Sequence, residues 1–353
     1  MSFRPRVIVI AALLLPVVVA GCAAAPEIDP QAPSDTLPTT PTVPGVVTGG
    51  VRNNVTTTAP TGTFAARFPG DVAPGAVRWG AAIGGNSDPA RHESVARTNL
   101  GLRRTFYSWK QRTGSMVSTA KADLAAGRLP WVSIKPPSWA AMANGTYDAQ
   151  IDEMLRALDA LNGPVWLTVH HEPEGGGGVH SADDPAGPAA WRAMQQRVRT
   201  RMNALRTDNI AFAPILMAWT FDSRSGRVPA DWWVDGIWDF VGIDHYQDSL
   251  AATSVLNNTW SRMYAFVSSK GMKLAIGEWG NRGTDGVAAT EMQQFYDFAA
   301  ASGRTGGAQV IGLSYFDSTL NSPSGGWELF GEPLNRFRQI MDQAPSVNAA
   351  EVR

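Results

Sequence analysis

Eight candidate strands, at residues 77–83, 103–107, 129–135, 165–171, 210–219, 240–246, 273–278 and 308–315, recur along this chain. Those leading to Glu172 and Glu278 are apolar runs bounded by Gly or Pro punctuation, the pattern of a parallel strand covered on both faces. Between them lie stretches of helical period, such as 149–161, where Ile151, Met154, Leu155, Leu158 and Leu161 repeat at helical spacing. Segments 189–205 and 290–301 behave alike. Run-to-run spacing is about thirty residues, the length of one βα unit, and eight such units close a barrel more readily than they extend an open sheet. The rival, a doubly wound sheet, usually carries a Gly-rich fingerprint after its first strand, and Gly84-Gly85-Asn86 leads into none. The expectation is a single (β/α)8 TIM barrel over residues 64–344, with a short tail at 345–353.

The segment before it has a different character. Arg4 and Arg6 precede an uncharged apolar stretch over 7–20 that ends at Gly21 and Cys22. That is too short to span a bilayer and has signal-peptide proportions. Val19-Ala20-Gly21-Cys22 resembles a bacterial lipobox, which makes 1–21 a lipoprotein signal peptide and Cys22 the lipidated first residue of the mature chain. Secretion by a nearby cut, with Cys22 incidental, is the alternative. Residues 22–63 are rich in Pro, Thr, Val and Gly and bury too little apolar surface to offset their ordering entropy, so they read as a flexible tether. The expected location is the extracellular face of the cell membrane, held through the lipid alone. Cys22 is the only cysteine, which excludes an internal disulfide.

With 30 Lys and Arg against 31 Asp and Glu, the chain has no basic surplus to recruit nucleic acid. No HExxH or other metal spacing occurs, and neighbours on a strand point to opposite faces, so His170 and His171 cannot share an ion. No GxSxG elbow or phosphate loop is present. We expect no metal and no cofactor, and a monomer.

Polar residues gather at one end of otherwise apolar strands. The fourth ends at His170, His171 and Glu172, the sixth at Asp244, His245 and Tyr246, the seventh at Glu278, and the eighth at Tyr315, Phe316 and Asp317. In a barrel of this kind, function sits at the C-terminal strand ends. Two carboxylates at one rim are the equipment of glycosidic-bond hydrolysis. Glu174 is the rival of Glu172 for one of the two places, whereas Asp244 and Asp317 read as structural. Thirteen tryptophans are many for 353 residues, and Trp109, Trp139, Trp219 and Trp279 fall beside strand ends, where rings could line a sugar-stacking cleft.

These features resemble the retaining β-glycosidases of clan A, and within it glycoside hydrolase family 26. The resemblance rests on His171-Glu172 on strand four, Glu278-Trp279-Gly280 on strand seven and Gly242-Ile243-Asp244-His245-Tyr246 on strand six, with lesser matches at Trp79-Gly80, Arg104-Thr105-Phe106, Pro130-Trp131-Val132-Ser133 and Tyr315-Phe316-Asp317-Ser318. It departs after the His-Glu pair, where many mannanases have Asn-Gly and this chain has Pro173-Glu174 and the glycines 175–178. The resemblance implies an enzyme that cleaves β-glycans, β-1,4-mannan first, by double displacement. Glu278 would be the nucleophile, Glu172 the acid/base, Tyr246 a donor to Glu278, and His171 a ligand of a sugar hydroxyl or of Glu172. Xylan, glucan, transglycosylation and a noncatalytic glycan-binding lipoprotein are the other readings.

Overall fold

The computed structural model describes residues 64–175, 182–246, 256–281, 286–304, 306–319 and 326–348. Nine parallel strand segments are present: β1 (Arg78–Ile83), β2 (Leu102–Ser108), β3 (Leu129–Lys135), β4 (Val165–Val169), β5 (Ile210–Phe212), β6 (Ile215–Met217), β7 (Val241–Tyr246), β8 (Leu274–Gly280) and β9 (Val310–Asp317). They lie in the order β5-β4-β3-β2-β1-β9-β8-β7-β6. The two outermost segments are halves of one stretch, parted only by Ala213-Pro214, so the sheet closes on itself as a barrel of eight staves. The fifth stave is therefore not the unbroken strand expected over 210–219. Pro214 has no N–H to give to a ladder, yet its neighbours bridge the gap, Ala213 N–H donating to Leu167 O at 3.1 Å and Gly242 N–H to Pro214 O at 2.9 Å.

Helices α1 (Ala90–Ala96), α2 (Ser115–Ala125), α3 (Trp139–Ala143), α4 (Asp148–Asp159), α5 (Gly187–Leu205), α6 (Asn258–Ser269), α7 (Gly286–Ala301) and α8 (Gly331–Met341) surround the strands. In α4 the predicted stripe Ile151, Met154, Leu155 and Leu158 is buried, and the Asn209 side chain donates to the Leu158 and Asp159 carbonyls at the end of the helix. Among the described residues no helix is long and apolar enough to cross a membrane.

Inside the barrel, the lower layer is aromatic. Trp131, Trp166 and Phe240 meet with ring centroids 4.4–5.6 Å apart, surrounded by Leu102, Leu129, Ala211, Ala275 and Ile311. Phe68 and Val72, from the segment before β1, join the same cluster and close the floor. A buried pair, Lys273 Nζ to Asp71 Oδ1 at 2.5 Å, and the Trp166 indole donating to Pro69 O at 3.0 Å pin that segment in place. Beyond the expected boundary at Ala344 the backbone stays paired: Val77 N–H donates to Pro345 O at 2.7 Å and Val347 N–H to Val77 O at 3.1 Å, so the residues expected as a tail begin inside the fold.

Candidate active site

Alternation along the strands selects what enters the mouth. On β2, Leu102, Arg104 and Phe106 share the inner face, and on β7, Gly242, Asp244 and Tyr246 do. Strand β8 breaks the rule. Ile243 pairs with Ile276 but Asp244 pairs with Glu278, so Gly277 is the extra residue of a bulge. The bulge turns Glu278 into the mouth and Trp279 outward. Gly277 is required by close approach, because a Cβ there would lie 1.8 Å from Arg104 Nη1 and 2.6 Å from Asp244 Oδ1.

The fully buried Arg104 guanidinium bridges two acids. Its Nη1 donates to Asp244 Oδ1 at 2.9 Å, and its Nη2 lies 3.1 Å from Glu278 Oε1. Phe106 and Trp131 flank it, with centroids 4.8 and 5.4 Å from the guanidinium carbon. The other Glu278 oxygen, Oε2, accepts from the Tyr246 hydroxyl at 2.6 Å. Burial, reinforced by the charge of Glu278, holds the Tyr246 phenol well above its ordinary range, so it stays a donor. Burial also pushes Asp244 well up; Arg104 pulls it back, while the charges of Glu278 and Glu172 add to the rise.

Glu172 arrives differently. β4 ends at Val169, and the chain turns through His170 at φ 60° and Glu172 at φ 50°, a left-handed conformation that costs a non-glycine residue about 1–2 kcal/mol. Backbone bonds to the neighbouring staves hold the turn, His170 N–H to Ile134 O and Glu172 N–H to Ile215 O, both at 2.8 Å. Burial first, then the charges of Glu278 and Glu174, raise the Glu172 carboxyl to about 8. Glu174, its rival, is buried and committed: Oε1 accepts from Met217 N–H and Thr220 Oγ1, both at 3.0 Å. Burial also raises that carboxyl, to about 7. His171 packs its ring 5.4 Å from Phe106. Burial and the Arg104 charge keep it neutral, and its Nδ1 is buried with no hydrogen-bond partner among the described residues.

An aromatic wall completes the mouth. Trp327 lies 4.7 Å from Tyr246, centroid to centroid, with Phe316 at 6.0 Å from the same ring. Asp317 fixes that wall in the structural role expected of it: Oδ1 accepts from Leu329 N–H at 2.9 Å, and Oδ2 pairs with His92 at 2.8 Å and with Arg91.

The four tryptophans expected to form a sugar cleft do not act together. Trp139 and Trp279 are wholly buried, and Trp109 nearly so, in the layer between strands and helices. The Trp109 indole donates to Gln150 Oε1 at 2.6 Å, Trp139 to His170 Nδ1 at 2.7 Å, and Trp279 is boxed by Trp79, Phe295 and Tyr315. A ring without an exposed face cannot stack on a sugar. Trp219 alone of the four is open, at 41% exposure, on the turn after β6, with the Arg224 guanidinium 5.4 Å from its centroid. Phe106, Phe316 and Trp327, which the sequence reading did not assign, stand where aromatic contacts were sought, and Arg104 and Asp244 stand beside Glu278. Parity was the available signal, since Arg104 and Phe106 alternate into the barrel, as do Asp244 and Tyr246. Cys22 and the tether lie outside the described residues.

Comparison with solved structures places this architecture. A β-mannanase from a symbiotic protist of the termite Reticulitermes speratus, complexed with gluco-manno-oligosaccharide, superposes with TM-score 0.54 at 13% identity, covering 82% of this chain and 98% of that one. The fold is glycoside hydrolase family 26-like. A family 26 β-mannanase from Bacteroides ovatus gives TM-score 0.53 at 12% identity over 79% of this chain and 92% of its own. Fungal β-1,4-galactanases give 0.54 at 14% identity over 74% and 94%. In sequence, a β-1,3-xylanase from a Vibrio species is 31% identical over 109 residues, which are 30% of this chain and 22% of the relative. No family model matches the chain.

Proposed function

We propose that this protein is a retaining β-glycan hydrolase. The observation that carries the reading is that one barrel mouth holds two carboxyls in opposite settings: Glu278 accepts at both oxygens from Arg104 and Tyr246, while burial keeps the proton on Glu172. Glu278 attacks the anomeric carbon and forms a glycosyl ester as the glycosidic bond breaks, while Glu172 protonates the departing oxygen. Glu172, now a base, takes a proton from the incoming water as that water bonds to the anomeric carbon and displaces Glu278, which restores both carboxyls. Tyr246 and Arg104 hold the attacking oxygen on line, and Arg104 opposes the charge that returns to Glu278 at the end. For retention the two carboxyl groups should act about 5–5.5 Å apart. His171, half-buried beside Phe106, is suited to a sugar hydroxyl, and Trp219 offers aromatic surface to sugar rings.

β-1,4-Mannan is the first substrate, because structures of the same fold are β-mannanases. β-1,3-Xylan is the second reading, favoured by the higher sequence identity to the Vibrio β-1,3-xylanase. Export and anchoring through Cys22 would set the enzyme on the cell surface against such polymers. Loss of membrane retention in Cys22→Ala tests the anchor. The test of function is reducing-sugar release from β-mannan, β-xylans and β-glucans by the purified barrel beside Glu278→Ala. Release from one glycan, abolished in the variant, is expected. Binding without turnover on every glycan would instead favour a glycan-binding lipoprotein.

A further inference from the structure

The turn from His170 to Glu172 needs something to hold it, because two non-glycine residues there occupy the left-handed region. The holding groups flank that turn. The Trp139 indole donates to His170 Nδ1 at 2.7 Å. An indole N–H is only a donor, so Nδ1 carries the lone pair and the imidazole proton sits on Nε2. That Nε2 faces Asp183 Oδ2 at 3.0 Å, and the same oxygen takes Lys135 Nζ, from the last residue of β3, at 2.9 Å. Asp183 also grips the chain beyond Glu172. Its N–H donates to Pro173 O at 3.1 Å, and Gly175 packs so closely that a Cβ there would lie 2.1 Å from Asp183 Oδ1. Asp183 is therefore fastened to both flanks of Glu172, through the His170 ring on one side and the Pro173 carbonyl on the other. Burial lowers the His170 imidazole below its ordinary range, in keeping with the neutral ring that the Trp139 bond requires.

We propose that the relay Trp139, His170, Asp183 and Lys135 is a positioning device for the acid, with His170 as its hub. This inference rests on the hydrolase reading. The relay touches no substrate. It sets where the Glu172 carboxyl stands relative to the glycosidic oxygen, and it explains why a tryptophan and a second histidine lie beside the catalytic turn.

The test exploits what Glu172 is needed for. A polysaccharide has a poor leaving group that must be protonated, whereas 2,4-dinitrophenolate departs unaided, and kcat/KM reports this first irreversible step. His170→Asn removes the ring but retains a residue tolerant of positive φ, and Asp183→Asn is the milder second variant. Each is measured beside wild type on β-1,4-mannan with 2,4-dinitrophenyl β-mannobioside, and on β-1,3-xylan with 2,4-dinitrophenyl β-xylobioside. A misplaced acid should lower kcat/KM on the polymer about a hundredfold while the aryl glycoside stays within about threefold of wild type. Equal losses on both members of a pair, as a general loosening of the fold would produce, overturn the proposal, and so does full activity on both. A wild-type protein inert toward all four substrates overturns the hydrolase reading and the proposal with it. If His170→Asn does not fold, the polymer-to-aryl ratio of Asp183→Asn decides.

Discussion

Arg104→Met removes the one positive group between Asp244 and Glu278 while keeping a stem of similar reach. The wild-type guanidinium is wholly buried, 2.9 Å from one carboxylate and 3.1 Å from the other. Without it, each buried acid must either hold a proton or carry a charge with no partner, and breaking a buried ion pair in this way costs about 3–5 kcal/mol. At about 2–4 °C per kcal/mol for a domain of this size, the midpoint of thermal unfolding at pH 7 should fall by about 6–20 °C. The sign of the pH dependence follows from linkage. Asp244 already lies above its unfolded value, and loss of the counter-charge that pulls it back raises it further, so the folded variant holds more firmly a proton that the unfolded chain releases. The penalty is then greatest at neutral pH and shrinks as pH falls toward 4. Calorimetry at pH 7 and pH 4.5 is the assay. An equal loss at both values would refute the reasoning, since it would mean that Arg104 acts through its contacts with Phe106 and Trp131 and not through charge.

Glu172 is raised to about 8 in the fold, so it is protonated below that pH and loses its proton above it. Hydrolysis of an unactivated glycan should decline as pH rises through about 8, and a basic limb surviving unchanged in Glu172→Ala would assign it to another group. The tryptophans divide in the same direct way. Trp219→Ala should raise KM for the polymer about tenfold, the worth of one aromatic contact, with little change in melting. Trp279→Ala should instead cost about 3–5 kcal/mol of stability, as expected for emptying a buried aromatic site, and the reverse outcome on calorimetry and kinetics would invert the assignment.

The parts of the fold legible in the sequence are those where one physical rule acts alone. Residues 129–135 are a strand with the expected limits, because an apolar run between Gly127 and Pro136 leaves little else to form. Helix α4 matches its stripe of apolar residues to within two positions. Where two rules compete, the reading slips. The break in the fifth stave was written in Pro214, but the apolar run over it concealed the missing donor. Strict alternation from Ala275 would send Glu278 outward and Trp279 in; the bulge at Gly277 reverses both. The same ambiguity misplaced the tryptophans, since proximity to a strand end does not say which face a ring takes. At Glu172 the residue was legible but its geometry was not, because the left-handed turn is bonded to Ile134, Ile215 and Trp139, which stand well away from it in the sequence.

Phe68, Val72 and the Asp71–Lys273 pair close the barrel at the end opposite Glu172 and Glu278. Whatever is joined ahead of Phe64 therefore enters at the south pole of a globe whose working opening is at the north. A chain joined at that pole has no need to cross the opening, so attachment there and polymer entry do not compete for one face of the barrel. The floor plug is thus a fixed doorway as well as a stopper, its place set by one aromatic ring, one aliphatic side chain and one buried charge pair.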